Sequence, residues 1–369
     1  MTQASRQASL RDRNLRLVLA TVLAADAPPS RAAVAAGTGL TRSTVSRLAD
    51  ELVAGGLLGE LERSAGAGRG RPGTPLVAGS GVAALGLQVN PGFLAARVVD
   101  LRGRVLAQEL VVGDVSGHEP DETLLRLGTL GRAAIRAAPS DVRLAGCGLA
   151  VPGLVATEDG RVLSAPNLGW SDVAVPRLLP RRRLGGLDLL VANEAELAAR
   201  TVAETAPGRP GPFSHFFYVS GDVGIGGAAV VDGRVFGGRH GWAGEVGHVT
   251  VEADGPPCSC GSRGCLEQYA GQRATSRDVE RAGWALGVAL ADVVNLLDIP
   301  TIVLGGHLAR SAEALRPALL RELDLRVLSS RWRAPTVEVA DRDPAAGATG
   351  AAYRALDGVL DEPHRWLAQ

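Results

Sequence analysis

Apolar residues recur at helical spacing close to the start of the chain. Leu15, Val18, Leu19 and Val22 share one face of a helix expected over residues 11–25. Pro28 and Pro29 stop it, and Ser30 is placed to cap a short second helix ending near Gly37. After a tight turn over residues 37–39, Thr41 caps a third helix, with Val45, Leu48, Leu52 and Val53 turned inward. Helix, short turn and second helix form a helix-turn-helix, whose second helix enters a DNA major groove. Leu57 and Leu58 then open a strand-like stretch. A Gly/Arg-rich loop over residues 64–77 suggests a β-wing with Arg69 and Arg71 at its tip.

From residue 81 onward the pattern changes to short apolar runs alternating with helical segments. Residues 83–89, 95–100 and 105–112 read as a β-meander turning at Arg102-Gly103. A helix over 122–138, a strand over 144–151, and further strands at 187–193, 216–221 and 301–306 continue the alternation to the end. That pattern predicts an α/β fold of two lobes with a cleft between them. The expected division is a winged helix-turn-helix over residues 1–80 and a second domain over 81–369, its lobes parting near residue 195.

Charge sharpens the first part of this picture. The 369-residue chain has zero formal net charge, yet residues 1–80 carry ten arginines against six acidic residues. A positive head on a neutral protein is what a DNA-binding module produces. Thr41, Arg42, Ser43, Thr44, Ser46 and Arg47 cluster at the start of the third helix. These residue types reach base edges and phosphates. The alternative for this segment is a three-helix module for protein contact. Every basic residue is arginine, which excludes lysine chemistry. No apolar run is long enough to span a membrane, and the N-terminus lacks the apolar stretch of a signal peptide.

The densest chemistry lies between residues 241 and 267. His248, Cys258, Cys260 and Cys265 fall within eighteen residues, spaced H-x9-C-x-C-x4-C, and Cys147 is the one cysteine elsewhere. One imidazole and three thiolates complete the tetrahedron of a structural zinc site, and Gly261 and Gly264 let the short loop fold back. Such grouping also suits a reducing cytoplasm. The alternative is three incidental cysteines near a surface histidine.

G-E-V-G-H followed by C-x-C-G-x-x-G-C-x-E resembles the signature of the ROK family of sugar kinases and sugar-responsive repressors. The resemblance implies the actin-like ATPase fold of hexokinase-like enzymes, here behind a winged helix-turn-helix of the kind ROK repressors carry. It also implies that Glu245, His248 and Glu267 contact sugar hydroxyls, and that Asn167, Asn193 and Glu194 match further sugar-contacting positions. From the residues alone, the glutamates could hydrogen-bond the metal ligands or face solvent, Asn167 could be a turn former, and Asn193-Glu194 a helix start.

Kinase motifs of the family are altered in this chain. Where a D-x-G-G-T phosphate loop is expected, the sequence reads Gln88-Val89-Asn90-Pro91-Gly92, with no charge for magnesium and a proline that has no N–H. Glu194 stands where the family's kinases place a general-base aspartate. The run over 220–227 resembles a second phosphate loop but carries Asp222, so a structural hairpin is expected. Gly305-Gly306 matches the adenosine site and equally a plain turn, with His307 expected at the surface. The combined expectation is a cytoplasmic, homodimeric repressor that binds operator DNA and a sugar effector, holds structural Zn²⁺, and has no catalytic residues. An active sugar kinase with a DNA-binding appendage is the alternative.

Overall fold

The computed structural model describes residues 3–61 and 74–367. The head consists of α1 (Gln3–Leu23), α2 (Arg31–Thr38) and α3 (Arg42–Ala54). Both expected caps form. Ser30 and Thr41 adopt extended backbone, and their hydroxyls accept from the amides of Ala33 and Thr44, satisfying donors that a first helical turn leaves free. Strands β1 (Leu58–Glu60) and β2 (Leu76–Ala78) pair antiparallel with Leu58 opposite Ala78. Arg69 and Arg71, expected at the tip joining them, lie outside the described residues.

Lobe one is a five-stranded sheet. It contains β3 (Val82–Asn90), β4 (Phe93–Asp100), β5 (Val105–Val112), β6 (Arg143–Val151) and β7 (Leu189–Asn193), in the order β7-β6-β3-β4-β5. The meander β3-β4-β5 is antiparallel, whereas β6 and β7 run parallel to β3. All nine residues of β3 are buried, because helices cover both faces of the sheet. Helix α4 (Pro120–Ala137) packs on one face, with Gly131 against Leu85 and Leu87.

Chain leaving β7 enters α5 (Glu194–Ala203) directly. Lobe two follows with β8 (Phe216–Gly221), β9 (Ile225–Val231), β10 (Arg234–Val235), β11 (Thr301–Gly305) and β12 (Thr336–Val339), ordered β10-β9-β8-β11-β12. Helices α6 (Val279–Leu297) and α7 (Ala312–Arg326) bury Leu286, Leu290, Leu315 and Leu319 in its core.

The final long helix, α8 (Ala346–Asp361), does not stay with lobe two. It crosses back to lie on the sheet of lobe one at backbone contact range. A Cβ at Gly86 would sit 1.8 Å from the carbonyl oxygen of Ala348, and one at Gly148 would sit 2.1 Å from that of Ala351. The far half of α8 then enters the core of the head. Leu356 and Val359 share one apolar cluster with Leu15, Val18, Leu19, Leu48 and Leu52, and with Val82 and Ala84 of β3. Head and lobe one are therefore built on a common core.

One expectation fails in lobe two. His307 is buried at 3% exposure rather than displayed at the surface. Gly306, at φ +56°, turns the chain sharply after β11 and brings His307 beneath the β8–β9 hairpin. There its Nε2 lies 3.0 Å from the carbonyl oxygen of Ala270, and burial holds its pKa below the ordinary histidine value. Neighbouring glycines hid this, because a histidine after a glycine turn reads as loop.

Candidate functional site

A cavity of about 390 Å³ opens between the lobes, and Asn167, Asn193, Glu194, Glu245, His248 and Glu267 all line it. They arrive from separate parts of the fold. Asn167 sits in a single 3-10 turn (Pro166–Leu168), Glu194 opens α5, and Glu245 precedes and His248 ends a second 3-10 turn (Val246–His248). Carboxylates accept from hydroxyls, and amides both donate and accept, so the lining suits a polyhydroxylated ligand.

Asn193 is largely committed to the backbone. Its Oδ1 accepts from the amides of Ala195 and Glu196, capping α5, and its Nδ2 donates to the carbonyl of Gly153. Capping orients α5 so that Glu194 points at the centre of the cleft. Two amide side chains then hold Glu194. Gln88 Nε2 donates to its Oε1 at 2.6 Å and Asn90 Nδ2 at 2.8 Å, while Asn90 Nδ2 also reaches Asp222 Oδ2 at 3.0 Å. Both bonds to Glu194 fall on Oε1, so Oε2 is the oxygen still able to accept from a ligand. Burial pushes the Glu194 carboxyl up to about 7, with Asp222 adding to the rise and the two amides opposing it.

The hairpin over residues 88–92 meets its own needs. The amide of Gly92 donates to Asn90 Oδ1 at 3.0 Å, and Pro91 has no N–H. Asp222 closes the opposite wall, where its amide donates to the carbonyl of Gly224. Gly224 has a tighter constraint than its place in a hairpin implies. A Cβ there would lie 2.2 Å from Asn167 Nδ2 and 2.9 Å from Glu267 Oε2. Reading the sequence residue by residue does not reveal Gly224, or the grip of Gln88 and Asn90 on Glu194. Each depends on partners more than forty positions away.

Beside the cavity, the side-chain ligand atoms of His248, Cys258, Cys260 and Cys265 lie within 4.8 Å of one another. His248 Nδ1 is 3.8 Å from Cys258 Sγ, and Cys260 Sγ is 3.8 Å from Cys265 Sγ. A tetrahedral ion with bonds of about 2.3 Å to sulfur sets its ligands roughly 3.7 Å apart, so the donor set fits a zinc-sized ion. The loop is shaped for this. Gly261 and Gly264 have φ of +93° and +65°, and a Cβ at Gly264 would lie 1.7 Å from the carbonyl oxygen of Glu252. Glu267 joins the two sites: its Oε1 accepts from Cys258 Sγ at 2.9 Å, and it is buried at 7% exposure while lining the cavity. Its neighbour Glu245 has its pKa raised, chiefly by burial.

In the head, Arg42 and Ser43 are exposed at the start of α3. Thr44 and Ser46 are half-buried, and Thr41 is occupied as the cap, with its hydroxyl also 3.0 Å from that of Ser43. Arg47 is exposed but tied to Glu51 at 2.8 Å, a carboxylate that Arg11 also reaches. Arg42 is therefore the side chain presented most freely, with Ser43 exposed beside it.

Comparison with known proteins follows this geometry. Residues 92–285 and 274–357 match the model of the ROK family, and residues 17–61 match that of the IclR helix-turn-helix domain. A putative xylose repressor from Caldicellulosiruptor sp. is 34% identical over 264 residues. The match covers 71% of this chain and 64% of that repressor, so just under two thirds of the relative's length is spanned. Among solved structures, a ROK family transcriptional regulator, a homologue of the E. coli MLC protein, superposes with a TM-score of 0.74 at 22% identity. It covers 96% of this chain and 97% of that one. A ROK hexokinase from Thermus thermophilus superposes with a TM-score of 0.62 at 28% identity, over 76% of this chain and 99% of that one. The two-lobed fold is thus the hexokinase-like one, with a helix-turn-helix domain in front.

Proposed function

The chain belongs to the ROK family, and from that premise we propose that it is a sugar-responsive, DNA-binding transcriptional repressor. One observation carries the reading. A head whose α3 presents Arg42 and Ser43 shares its core with a lobe that walls a cleft lined by five side chains suited to sugar hydroxyls. The xylose repressor relative supports it. In this reading Asn167, Glu194, Glu245, His248 and Glu267 bind the sugar, and Asn193 holds α5 in place for Glu194. Arg42, Ser43, Thr44, Ser46 and Arg47 contact operator DNA, and so do Arg69 and Arg71, which lie outside the described residues. A homodimer would set two heads on two half-sites.

Zinc is the ion whose preferences match His248, Cys258, Cys260 and Cys265. When bound, it supplies a rigid cross-link and no reaction chemistry. His248 would hold it through Nδ1, the nitrogen 3.8 Å from Cys258 Sγ, which would leave Nε2 as a donor for the cavity. Phosphoryl transfer is not part of the proposed activity. The amide of Gly92 is already satisfied, Pro91 offers none, Gln88 brings no charge to a metal, and Glu194 stands where the family resemblance implies an aspartate in the kinases.

Fluorescence anisotropy with a promoter fragment from the protein's own gene neighbourhood tests this, at fixed salt and with a sugar panel that includes D-xylose and D-glucose. Specific binding that one sugar abolishes is the expected result. Absence of any specific complex, or ATP-dependent phosphorylation of a panel sugar, would overturn the reading.

A further inference from the structure

We propose that Gln88 is a positioning residue that couples sugar occupancy at Glu194 to the DNA-binding head through α8. The inference rests on the repressor reading above. Gln88 is 2% exposed on β3, and both ends of its amide are used. Nε2 donates to Glu194 Oε1 at 2.6 Å, and Oε1 accepts from the backbone amide of Ala348 at 2.9 Å. One side chain therefore joins the carboxylate of the cleft to the first turn of α8.

That first turn needs the acceptor. Ala345 precedes α8 and provides no side-chain cap, and Asp343 reaches only the amides of Ala345 and Ala346, so the amide of Ala348 takes its acceptor from Gln88. Gln88 replaces that cap from across the fold. Gly347 makes room for it, since a Cβ there would lie 2.9 Å from Gln88 Cδ. A ligand that moves Glu194 moves the amide plane of Gln88, and with it the group that caps α8.

The other end of α8 lies in the head. Leu356 and Val359 sit in the cluster with Leu15, Val18 and Leu19, and Asp361 pairs with Arg16 of α1 at 2.7 Å. Along its length α8 is also clamped to α5, the helix that Glu194 opens: Arg200 bonds Asp357 at 2.5 and 2.8 Å. A Cβ at Gly350 would lie 1.8 Å from the carbonyl oxygen of Leu197. Strand β3 has the same two-ended character, with Val82 and Ala84 in the head core and Gln88 at the cleft. Gln88 is the point at which strand, cleft carboxylate and long helix meet.

The test compares operator Kd with and without saturating sugar, using the sugar that acts on the wild type, D-xylose being the first tried. Sugar binding is followed separately by calorimetry. Coupled systems typically give ratios of about 5 to 150. Gln88→Met has similar length and no polar atoms. It removes the amide that favours charged Glu194, so sugar binding is expected to weaken severalfold; free operator binding should stay within about threefold of wild type, and the ratio read at saturating sugar should fall to near 1. Gln88→Glu keeps an acceptor for Ala348 but has no N–H for Glu194, so a pure capping role would restore its ratio and a coupling role would not. Wild-type ratios in both variants, or a restored ratio in Gln88→Glu alone, would overturn the inference. A ratio of 1 in the wild type with every sugar overturns the repressor reading and this inference with it.

Discussion

A single added methyl at Gly148 is expected to unseat α8. Its Cβ would sit 2.1 Å from the carbonyl oxygen of Ala351 and 2.6 Å from the carbonyl carbon, where relaxed contact needs over 3 Å. The obstacle is helix backbone, which has no rotamer to change, so α8 must retreat by about 1 Å or the sheet must bend. Overpacking a core costs about 1–3 kcal/mol, and a backbone obstacle places Gly148→Ala at the upper end, about 3 kcal/mol. Gly358 lies on the same helix and provides the control. Nothing lies within 4 Å of a Cβ there, so Gly358→Ala should stabilise by about 0.5–1 kcal/mol through lost unfolded-state entropy. Urea titration followed by circular dichroism measures both. Head and lobe one share a core, so Gly148→Ala should also weaken operator binding. A midpoint for Gly148→Ala equal to the wild type's, or equal losses in the two variants, would refute the packing argument.

Three further outcomes follow from the cleft and the metal loop. The Glu194 carboxyl titrates near 7 because it is buried, and a sugar hydroxyl donates best to its charged form. Sugar affinity measured by calorimetry should therefore rise between pH 6 and 8, by at most about tenfold per unit, and Glu194→Gln should flatten the curve. Burial also raises Glu196 to about 7, next to the repulsion of Glu245. Between the unfolded value near 4.5 and the folded one, both groups keep protons that the unfolded chain has released. The ligand-free protein should thus lose stability as pH rises from about 4.5 to about 7 and level off above that, measurable as a falling urea midpoint. Purified protein should carry about one zinc per chain by elemental analysis, and Cys265→Ser should lose it and lower the melting temperature.

Local chemistry made some of this protein legible from its residues. Ser30 and Thr41 cap helices because a hydroxyl one step ahead of an apolar-periodic run bonds amides three residues on. His248, Cys258, Cys260 and Cys265 converge because soft ligands separated by glycines in one short loop have few other arrangements. The meander and the parallel strands follow from alternating and continuous apolar runs. Other features needed the folded chain. His307 is buried by a turn whose direction its neighbours do not encode. Gln88 and Asn90 read as lost phosphate-loop residues, yet their amides grip Glu194 and Asp222 more than a hundred positions away. The return of α8 to the head depends on Gly86, Gly148 and Gly350, which look like ordinary glycines until a helix backbone lies against them. Periodicity and spacing report bonds closed within a few residues. A bond between distant residues exists only once two lobes and a head have packed, and that packing decides which amide meets which carboxylate.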